Sequence, residues 1–211
     1  MPQIEFFYDF ASPYSYLAST QMEGLEKRTG APVRWRPFGL GFVFKETGNA
    51  MTASVPAKGK YMIQDLTRWA EFYGAPFRWP STFPLNSILA LRAALAVEDP
   101  EKLRRFSQAL FHAFWAQGRD LSQPAVVQEV ADSLGLPGEA ILARTQEAAV
   151  KDQLRANTAE AVQRGAFGAP TFFVGEEMFW GNDRIEMVER YLGTVGSQPV
   201  RKSASAAARS R

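Results

Sequence analysis

The sequence contains no cysteine and a single histidine, His112, among its 211 residues. The absence of cysteine excludes disulfide scaffolds, cysteine-ligated zinc, thiol nucleophiles and every dithiol redox mechanism. One histidine cannot form a histidine cluster, so no metal site is predicted. Any thiol chemistry must therefore use a thiol that another molecule brings in.

An excess of charge of one sign and long apolar runs are also lacking. The 24 Lys and Arg residues nearly balance the 22 Asp and Glu residues, which argues against a general nucleic-acid-binding protein. No apolar run approaches the roughly 20 residues that a membrane-spanning helix requires. The first residues do not resemble a signal peptide. Composition therefore predicts a soluble cytoplasmic protein, with 46% hydrophobic residues available for a core.

The start of the chain predicts a strand, a helix and a second strand. Ile4–Tyr8 is a short apolar run typical of a buried strand, and residues 33–38 are predicted to form the second. Ser12 and Pro13 predict a helix start, because serine caps well and proline at the first helical position needs no N–H. The helix is predicted over residues 14–29. Such a unit favours a parallel strand pair.

The rest of the chain is mostly helical, with strands returning near its end. Residues 39–54 predict a long loop or lid. Apolar residues at helical spacing predict helices over residues 60–73, 86–97 and 101–117, and further helices within 123–134 and 139–165. Two strands joined by a tight turn are predicted over residues 171–180. A last helix, capped by Asn182 or Asp183, is predicted to end near residue 192, and the basic tail over residues 193–211 is predicted to be disordered.

Two short motifs carry the predicted chemistry. Ser12 begins the SPYS motif at the junction of the first strand and helix, and Pro170 lies in a GAPT motif immediately before a strand. This arrangement is typical of the thioredoxin fold, with Ser12 and Ser15 at the spacing of a Cys-x-x-Cys pair. The helix start suits an anion, because its first N–H groups lack partners within the helix. A Ser12 hydroxyl would lower the pKa of a nearby thiol, and glutathione is the obvious source of that thiol.

Longer segments around these motifs resemble one protein family. The matching segments are YDF at residues 8–10, SPYSYLA at 12–18, DLTRWA at 65–70, YGAP at 73–76, FGAPT at 167–171 and FWGNDR at 179–184. Together they are similar to the 2-hydroxychromene-2-carboxylate isomerases, relatives of the kappa-class glutathione transferases with a DsbA-like fold. The resemblance covers residues 3 to 192. It implies an α/β protein, in which a thioredoxin-like domain of the DsbA type carries a large all-helical insertion.

The resemblance also implies a division of the chain. The thioredoxin-like domain would comprise residues 1–38 and 166–192, with a closing helix from about residue 156. The lid loop and the helical insertion would occupy residues 39–165. Glutathione would bind in the cleft between the two domains.

The implied function is that of a glutathione-dependent isomerase of aromatic or naphthalene catabolism. It would interconvert 2-hydroxychromene-2-carboxylate and trans-o-hydroxybenzylidenepyruvate. The glutathione thiolate would add to the conjugated carbon of the ring-opened form, which makes a bond that can rotate, and would then be eliminated. The expected partners are glutathione, a small aromatic carboxylate and a second copy of the chain as a homodimer, with no nucleic acid and no membrane.

The family's site residues carry over by position. Ser12 is the implied catalytic residue beside the glutathione sulfur. Because no base is near it in the sequence, we expect it to donate a hydrogen bond to the thiolate rather than act as a nucleophile. The implied glutathione-binding residues are Ser12, Ala169, Pro170, Trp180, Gly181, Asn182 and Asp183, with Pro170 after a cis peptide bond. The implied substrate-lining residues are Val43, Phe44, Ser54 and Phe83.

One departure from the family pattern and two alternative functions leave the function open at this stage. Phe44 stands where some family members carry a lysine, so the recognition of a substrate carboxylate is open. A kappa-like glutathione transferase would consume glutathione by conjugating it to an electrophile. A non-catalytic thioredoxin-fold binding module would neither isomerise a substrate nor conjugate glutathione.

Overall fold

The structure, a computed structural model, describes residues 2–196. Its strands are Ile4–Tyr8 (β1), Val33–Pro37 (β2), Thr171–Val174 (β3) and Glu177–Trp180 (β4). They form one mixed sheet in the order β2-β1-β3-β4, in which β1 and β2 are parallel and the other two pairs are antiparallel. The predicted parallel pair at the start of the chain and the hairpin near its end are confirmed.

Helices connect and cover the sheet. The α-helices are Pro13–Ser19 (α1), Met22–Thr29 (α2), Leu40–Thr47 (α3), Pro56–Tyr73 (α4), Ile88–Leu95 (α5), Pro100–Trp115 (α6), Pro124–Ser133 (α7), Gly138–Arg144 (α8), Ala148–Gln163 (α9) and Ile185–Gly196 (α10). Short 3-10 helices occur at Thr52–Ser54 and Asn182–Arg184. Within residues 2–196, none of the helices combines the length and the apolar character needed to cross a membrane.

The predicted single helix over residues 14–29 is two helices. The hydroxyls of Ser19 and Thr20 donate to the carbonyls of Tyr16 and Leu17 at 2.6 and 2.7 Å. Hydroxyls placed in this way compete with the regular helical pattern. The chain therefore breaks after α1 and resumes as α2, which ends at Gly30 in the left-handed conformation with φ 67°.

The predicted lid loop over residues 39–54 is wrong for most of its length. The segment forms α3 and the 3-10 helix Thr52–Ser54. The reason is tertiary, because the fully buried Val43 packs into a second hydrophobic core. Its partners there are Phe7, Phe38, Ala161, Ala166 and Phe173. This burial supports a helix that the composition of the segment does not indicate.

The main hydrophobic core extends from the sheet into the helical region. Phe6 of β1 stacks with Tyr8 and Phe172 at centroid distances of 5.2 and 5.3 Å. The Tyr8 hydroxyl and the Ser107 hydroxyl on α6 lie 2.7 Å apart. The Phe111 ring of α6 packs on the Tyr8 ring, with their centroids 5.5 Å apart. The sheet and the helical insertion are therefore packed around one continuous core.

A buried ion-pair network attaches α9 to the sheet. Arg36 of β2 is 5% exposed and donates to the carboxylates of Glu5 and Glu160 and to the amide oxygen of Asn157. α9 is continuous from Ala148 and includes the predicted closing helix from about residue 156. Asn157 of α9 also donates to the Pro37 carbonyl and Thr158 accepts the Gly39 N–H, each at 2.9 Å, so α9 positions the loop that follows β2.

The last helix is longer than predicted. α10 continues to Gly196, beyond the predicted end near residue 192. Ile185, Val188 and Leu192 are buried at helical spacing, which anchors the helix on the main core. Predicted disorder is therefore wrong for residues 193–196, and residues 197–211 lie outside the described residues.

Candidate functional site

Ser12 connects the start of α1 with the loop that precedes β3. Its hydroxyl oxygen accepts a hydrogen bond from the Ser15 N–H at 3.1 Å and donates one to the Ala169 carbonyl at 3.0 Å. Ser12 therefore caps the helix, as its place before Pro13 predicts. The side chain is 4% exposed. The two motifs singled out in the sequence are direct neighbours in the fold.

The first turn of α1 offers few free donors. Pro13 has no N–H, and the Ser15 N–H is bonded to the Ser12 side chain. The Tyr14 N–H has no acceptor in the part of the chain that the structure describes. The Ser12 hydroxyl and the Tyr14 N–H are therefore the groups of this helix start that can donate to an anion.

The loop before β3 joins this helix start to the end of β4. The Ala169–Pro170 peptide bond is cis, as the resemblance implies. The Pro170 carbonyl accepts a hydrogen bond from the Gly181 N–H at 3.0 Å. Within residues 2–196 the Ala169 N–H has no acceptor. This loop therefore presents a free backbone donor to which an extended peptide can pair.

Asn182 adds a buried amide without a partner. The residue is 3% exposed, and its Nδ2 has no hydrogen-bond partner among the described residues. Its backbone carbonyl accepts a hydrogen bond from the Tyr73 hydroxyl at 3.0 Å, so α4 holds this residue in place. An unsatisfied buried polar group costs about 1–3 kcal/mol. A carboxylate bound against Nδ2 would remove that cost. Asp183 follows, with its carboxylate 2.6 Å from the Arg184 guanidinium.

Trp180 and Phe167 form an exposed aromatic edge beside the loop. Their ring centroids are 4.8 Å apart, and the residues are 47% and 36% exposed. Gly168 lies against the indole, and a Cβ built on Gly168 would be 2.5 Å from the indole Nε1. Only glycine therefore allows this approach. The structure thus joins the predicted glutathione-binding residues in one set of contacts: Ser12, Ala169, Pro170, Trp180, Gly181, Asn182 and Asp183.

The predicted substrate-lining residues are not brought together in the same way. Val43 is fully buried in the second core, so its side chain does not face an open groove. Phe44 is partly buried on α3, and Ser54 is exposed in its 3-10 helix. Phe83 packs on Trp79 and Trp115. Within the described part of the chain, none of the four forms a hydrogen bond with the Ser12 hydroxyl.

Asp9 is a buried carboxyl for which the sequence predicted no role. It is 2% exposed and accepts hydrogen bonds from the N–H groups of Ala11 and Leu40 at 2.9 and 2.8 Å. Burial raises the pKa of Asp9, although hydrogen bonds from Ser87, Ala11 and Leu40 oppose the change. Its carbonyl accepts the Ser12 N–H at 3.0 Å. Asp9 therefore connects the Ser12 loop with the start of α3. The only indication in the sequence that Asp9 could matter was its place in the YDF segment, one of the segments that resemble the family.

No hydrogen-bond partner of Ser12 among the described residues is a general base. Its partners are a backbone N–H and a backbone carbonyl. The nearby Tyr14 hydroxyl donates to Asp65 at 2.8 Å. Burial, and then the Asp65 carboxylate, raise the pKa of Tyr14, so it keeps its proton at neutral pH. His112 lies exposed on α6. The Ser12 hydroxyl is therefore suited to donating a hydrogen bond rather than to attacking as an alkoxide.

Comparisons with known proteins bear on the fold and the family. A family model described as the DSBA-like thioredoxin domain matches residues 3–193. The chain is 34% identical to 2-hydroxychromene-2-carboxylate isomerase of Sphingobium xenophagum, across 90% of this chain and 97% of the relative. It is 28% identical to glutathione S-transferase kappa 1 of Rattus norvegicus, across 93% of each chain. A solved structure of 2-hydroxychromene-2-carboxylate isomerase matches with a TM-score of 0.83 at 30% identity, covering 92% of this chain and 95% of that one. The predicted fold class is confirmed.

Proposed function

This chain belongs to the DsbA-like thioredoxin family and, within it, to the 2-hydroxychromene-2-carboxylate isomerases, and from that membership we propose that it is a glutathione-dependent isomerase. The proposed reaction interconverts 2-hydroxychromene-2-carboxylate and trans-o-hydroxybenzylidenepyruvate, as a step of aromatic catabolism. The proposed compartment is the cytoplasm, where the glutathione pool is kept reduced.

The buried, unpartnered amide of Asn182 is the observation that carries the cofactor assignment. Glutathione is a peptide with a free carboxylate at each end, and such a carboxylate is the acceptor that Asn182 Nδ2 lacks. The free N–H of Ala169 is suited to pairing with its main chain. The exposed Asp183 carboxylate is suited to its amino group.

Glutathione, when bound, supplies a thiolate that can add to a conjugated carbon and leave again, so that a double bond changes its geometry. The role of Ser12 follows from its present hydrogen bonds. Its one hydroxyl proton is donated to the neutral Ala169 carbonyl. Hydrogen bonds to an ionised acceptor are about twice as strong as those to a neutral one. The Ser12 hydroxyl is therefore expected to turn from Ala169 towards an anion placed at the helix start.

The Tyr14 N–H adds a second donor at the same place. Together, the two donors stabilise a thiolate and lower the pKa of the thiol. Asp9 holds the Ser12 backbone through its carbonyl and holds the start of α3 through its side chain. The chain therefore supplies donors and their positioning, whereas the nucleophile comes from the cofactor.

Measuring the free thiol concentration during the reaction tests the proposal directly. The purified protein is mixed with glutathione and 2-hydroxychromene-2-carboxylate, and absorbance and free thiol are followed together. The proposal predicts that absorbance changes only when glutathione is present, while the thiol concentration stays constant. Conversion without glutathione, or no conversion at any glutathione concentration, would contradict it.

A kappa-like transferase activity is the second candidate, because the chain shares 28% identity with a kappa-class enzyme over nearly its full length. The same mixture separates the two reactions, since conjugation consumes one thiol for each electrophile. A falling thiol concentration with a standard aromatic electrophile would favour the transferase. A binding module would leave both readouts unchanged.

The proposal includes a homodimer. Phe72 is 79% exposed on α4 and forms an aromatic cluster with Trp69 and Tyr73, at centroid distances of 5.7 and 5.6 Å. An exposed aromatic cluster of this kind is typical of a contact between proteins. Light scattering coupled to gel filtration should give twice the 23.5 kDa chain mass, and Phe72→Glu should shift the protein towards the monomer. A monomeric wild-type protein would contradict this part.

A further inference from the structure

A cavity of about 210 Å³ lies between the start of α5 and the loops that precede α7 and α9. It shares no residue with the proposed glutathione site around Ser12, Ala169 and Asn182. Its lining residues are Asn86, Ile88, Leu89, Arg92, Ser122 and Gln146. The lining thus contains one cation and no carboxylate. The cavity is smaller than the roughly 300–1,000 Å³ of sites for drug-sized ligands.

Arg92 is the unusual member of this set. Its side chain forms no hydrogen bond or ion pair with any other described residue, and its Nε is buried without a partner. Arg36 also has a buried, unpartnered Nε, but its terminal nitrogens bind Glu5 and Glu160. A partly buried guanidinium without a counter-ion is unfavourable. A negative group in the cavity would compensate its charge.

Another cavity, lined in part by Arg144, gives the contrast. It measures about 200 Å³ and contains Arg144. Arg144 donates to the Glu98 carboxylate and to the Ala96 carbonyl, each at 2.7 Å. That arginine is already neutralised by the protein. The cavity around Arg92 therefore differs in having no carboxylate in its lining, whereas the lining of the second cavity includes Glu98 and Asp99 beside its cations.

The other lining groups limit the class of ligand. The Asn86 Oδ1 accepts the Ile88 N–H at 3.3 Å, which leaves the Asn86 amide N–H groups as donors. Ile88 and Leu89 supply an apolar wall. The Asp120 carboxylate, two residues before the lining residue Ser122, accepts hydrogen bonds from the Ser122 N–H and the Gln123 amide. A ligand with one negative end and one apolar end matches both halves of this lining.

We propose that this cavity is a binding site for a small organic carboxylate, with the carboxylate on Arg92 and Asn86 and the apolar part on Ile88 and Leu89. Arginine suits this task because its planar guanidinium can donate two parallel hydrogen bonds to a carboxylate. This site is separate from the proposed glutathione site and does not depend on the proposed isomerase reaction.

Ligand-observed NMR with benzoate as the probe tests this proposal on the full chain. Benzoate should bind saturably to the wild-type protein, and Arg92→Met should raise the dissociation constant at least about tenfold. The control variant Arg105→Met removes an exposed cation from neighbouring α6 and should leave binding unchanged. Arg92→Met should not lower the thermal midpoint, because no side-chain hydrogen bond to the protein is lost.

Three results would overturn the proposal. One is the absence of saturable benzoate binding by the wild-type protein. Another is equal binding of benzoate and its uncharged analogue benzamide, since the Arg92 charge would then contribute nothing. The third is normal benzoate binding by Arg92→Met together with loss of binding in Ser12→Ala or at saturating glutathione. That result would place benzoate at the Ser12 site.

Discussion

Replacing Ser12 by alanine removes two hydrogen bonds from the fold. The Ser15 N–H loses its cap at 3.1 Å, which contributes about 1 kcal/mol. The Ala169 carbonyl loses its donor at 3.0 Å, which contributes about 1 kcal/mol more. The free energy of unfolding should therefore fall by about 2 kcal/mol in urea titrations. Single domains with stabilities of about 5–15 kcal/mol tolerate such a loss, so the variant should fold and be open to assay.

Turnover should fall far more than stability. One donor to a developing charge contributes about 2–4 kcal/mol at most, which corresponds to roughly 30-fold to 1,000-fold in kcat. Glutathione affinity should change only a few-fold, because the contacts around Ala169 and Asn182 remain. Without the Ser12 hydroxyl the bound thiol ionises at higher pH. Part of the lost rate should therefore return as the pH is raised from about 7 to about 9.

Asp99→Ala is the matched control for the lost cap. The Asp99 carboxylate caps α6 by accepting the Lys102 N–H at 2.8 Å, and Asp99 is not one of the residues of the Ser12 site. This variant should lose about 1 kcal/mol of stability and no turnover. Full turnover of Ser12→Ala at neutral pH, or an equal loss of turnover in both variants, would refute the donor role of Ser12.

Three further predictions follow from other parts of the fold. Gly168→Ala should displace Trp180, because the new Cβ would lie 2.5 Å from its Nε1, and calorimetry should show glutathione affinity reduced about tenfold. Burial raises the pKa of Asp9, so its contribution to stability is full below the unfolded value of about 3.9 and is lost as pH rises through the folded value. The advantage of wild type over Asp9→Asn in urea should then shrink as pH rises above about 4, and a constant difference would contradict this. The Arg36 guanidinium lowers the pKa of Glu160 despite partial burial, so Glu160→Gln should destabilise the protein at neutral pH, with a difference from wild type that shrinks as pH falls below about 4.3, the ordinary pKa of glutamate.

Local chemistry was enough to predict the helix start that carries the site. Ser12 before Pro13 is a capping pattern whose hydrogen bond spans only to Ser15, so no distant residue is needed to form it. The strand bounds of β1 are likewise those of its apolar run. The cis bond before Pro170 came from the resemblance, because most X-Pro bonds are trans and local pattern alone does not predict a cis one.

Local chemistry failed where a distant contact decided the conformation. The segment 39–54 has the composition of a loop, but Val43 is buried against residues far away in the chain, and the segment forms a helix. The predicted substrate-lining residues came from the family resemblance, position by position, rather than from local chemistry. The fold buries one of them, exposes another and leaves them without a shared contact to Ser12.

The sequence by itself determined the fold class and the family and predicted the helix start that holds Ser12, because these depend on apolar periodicity and on motifs of a few neighbouring residues. Only the tertiary structure decided which groups surround that serine. Asp9 and the Asn182 amide are ordinary polar residues in the sequence, and they became significant because packing removed water from around them. Burial is a property of the whole fold, and a cost of desolvation cannot be assigned until distant segments have met.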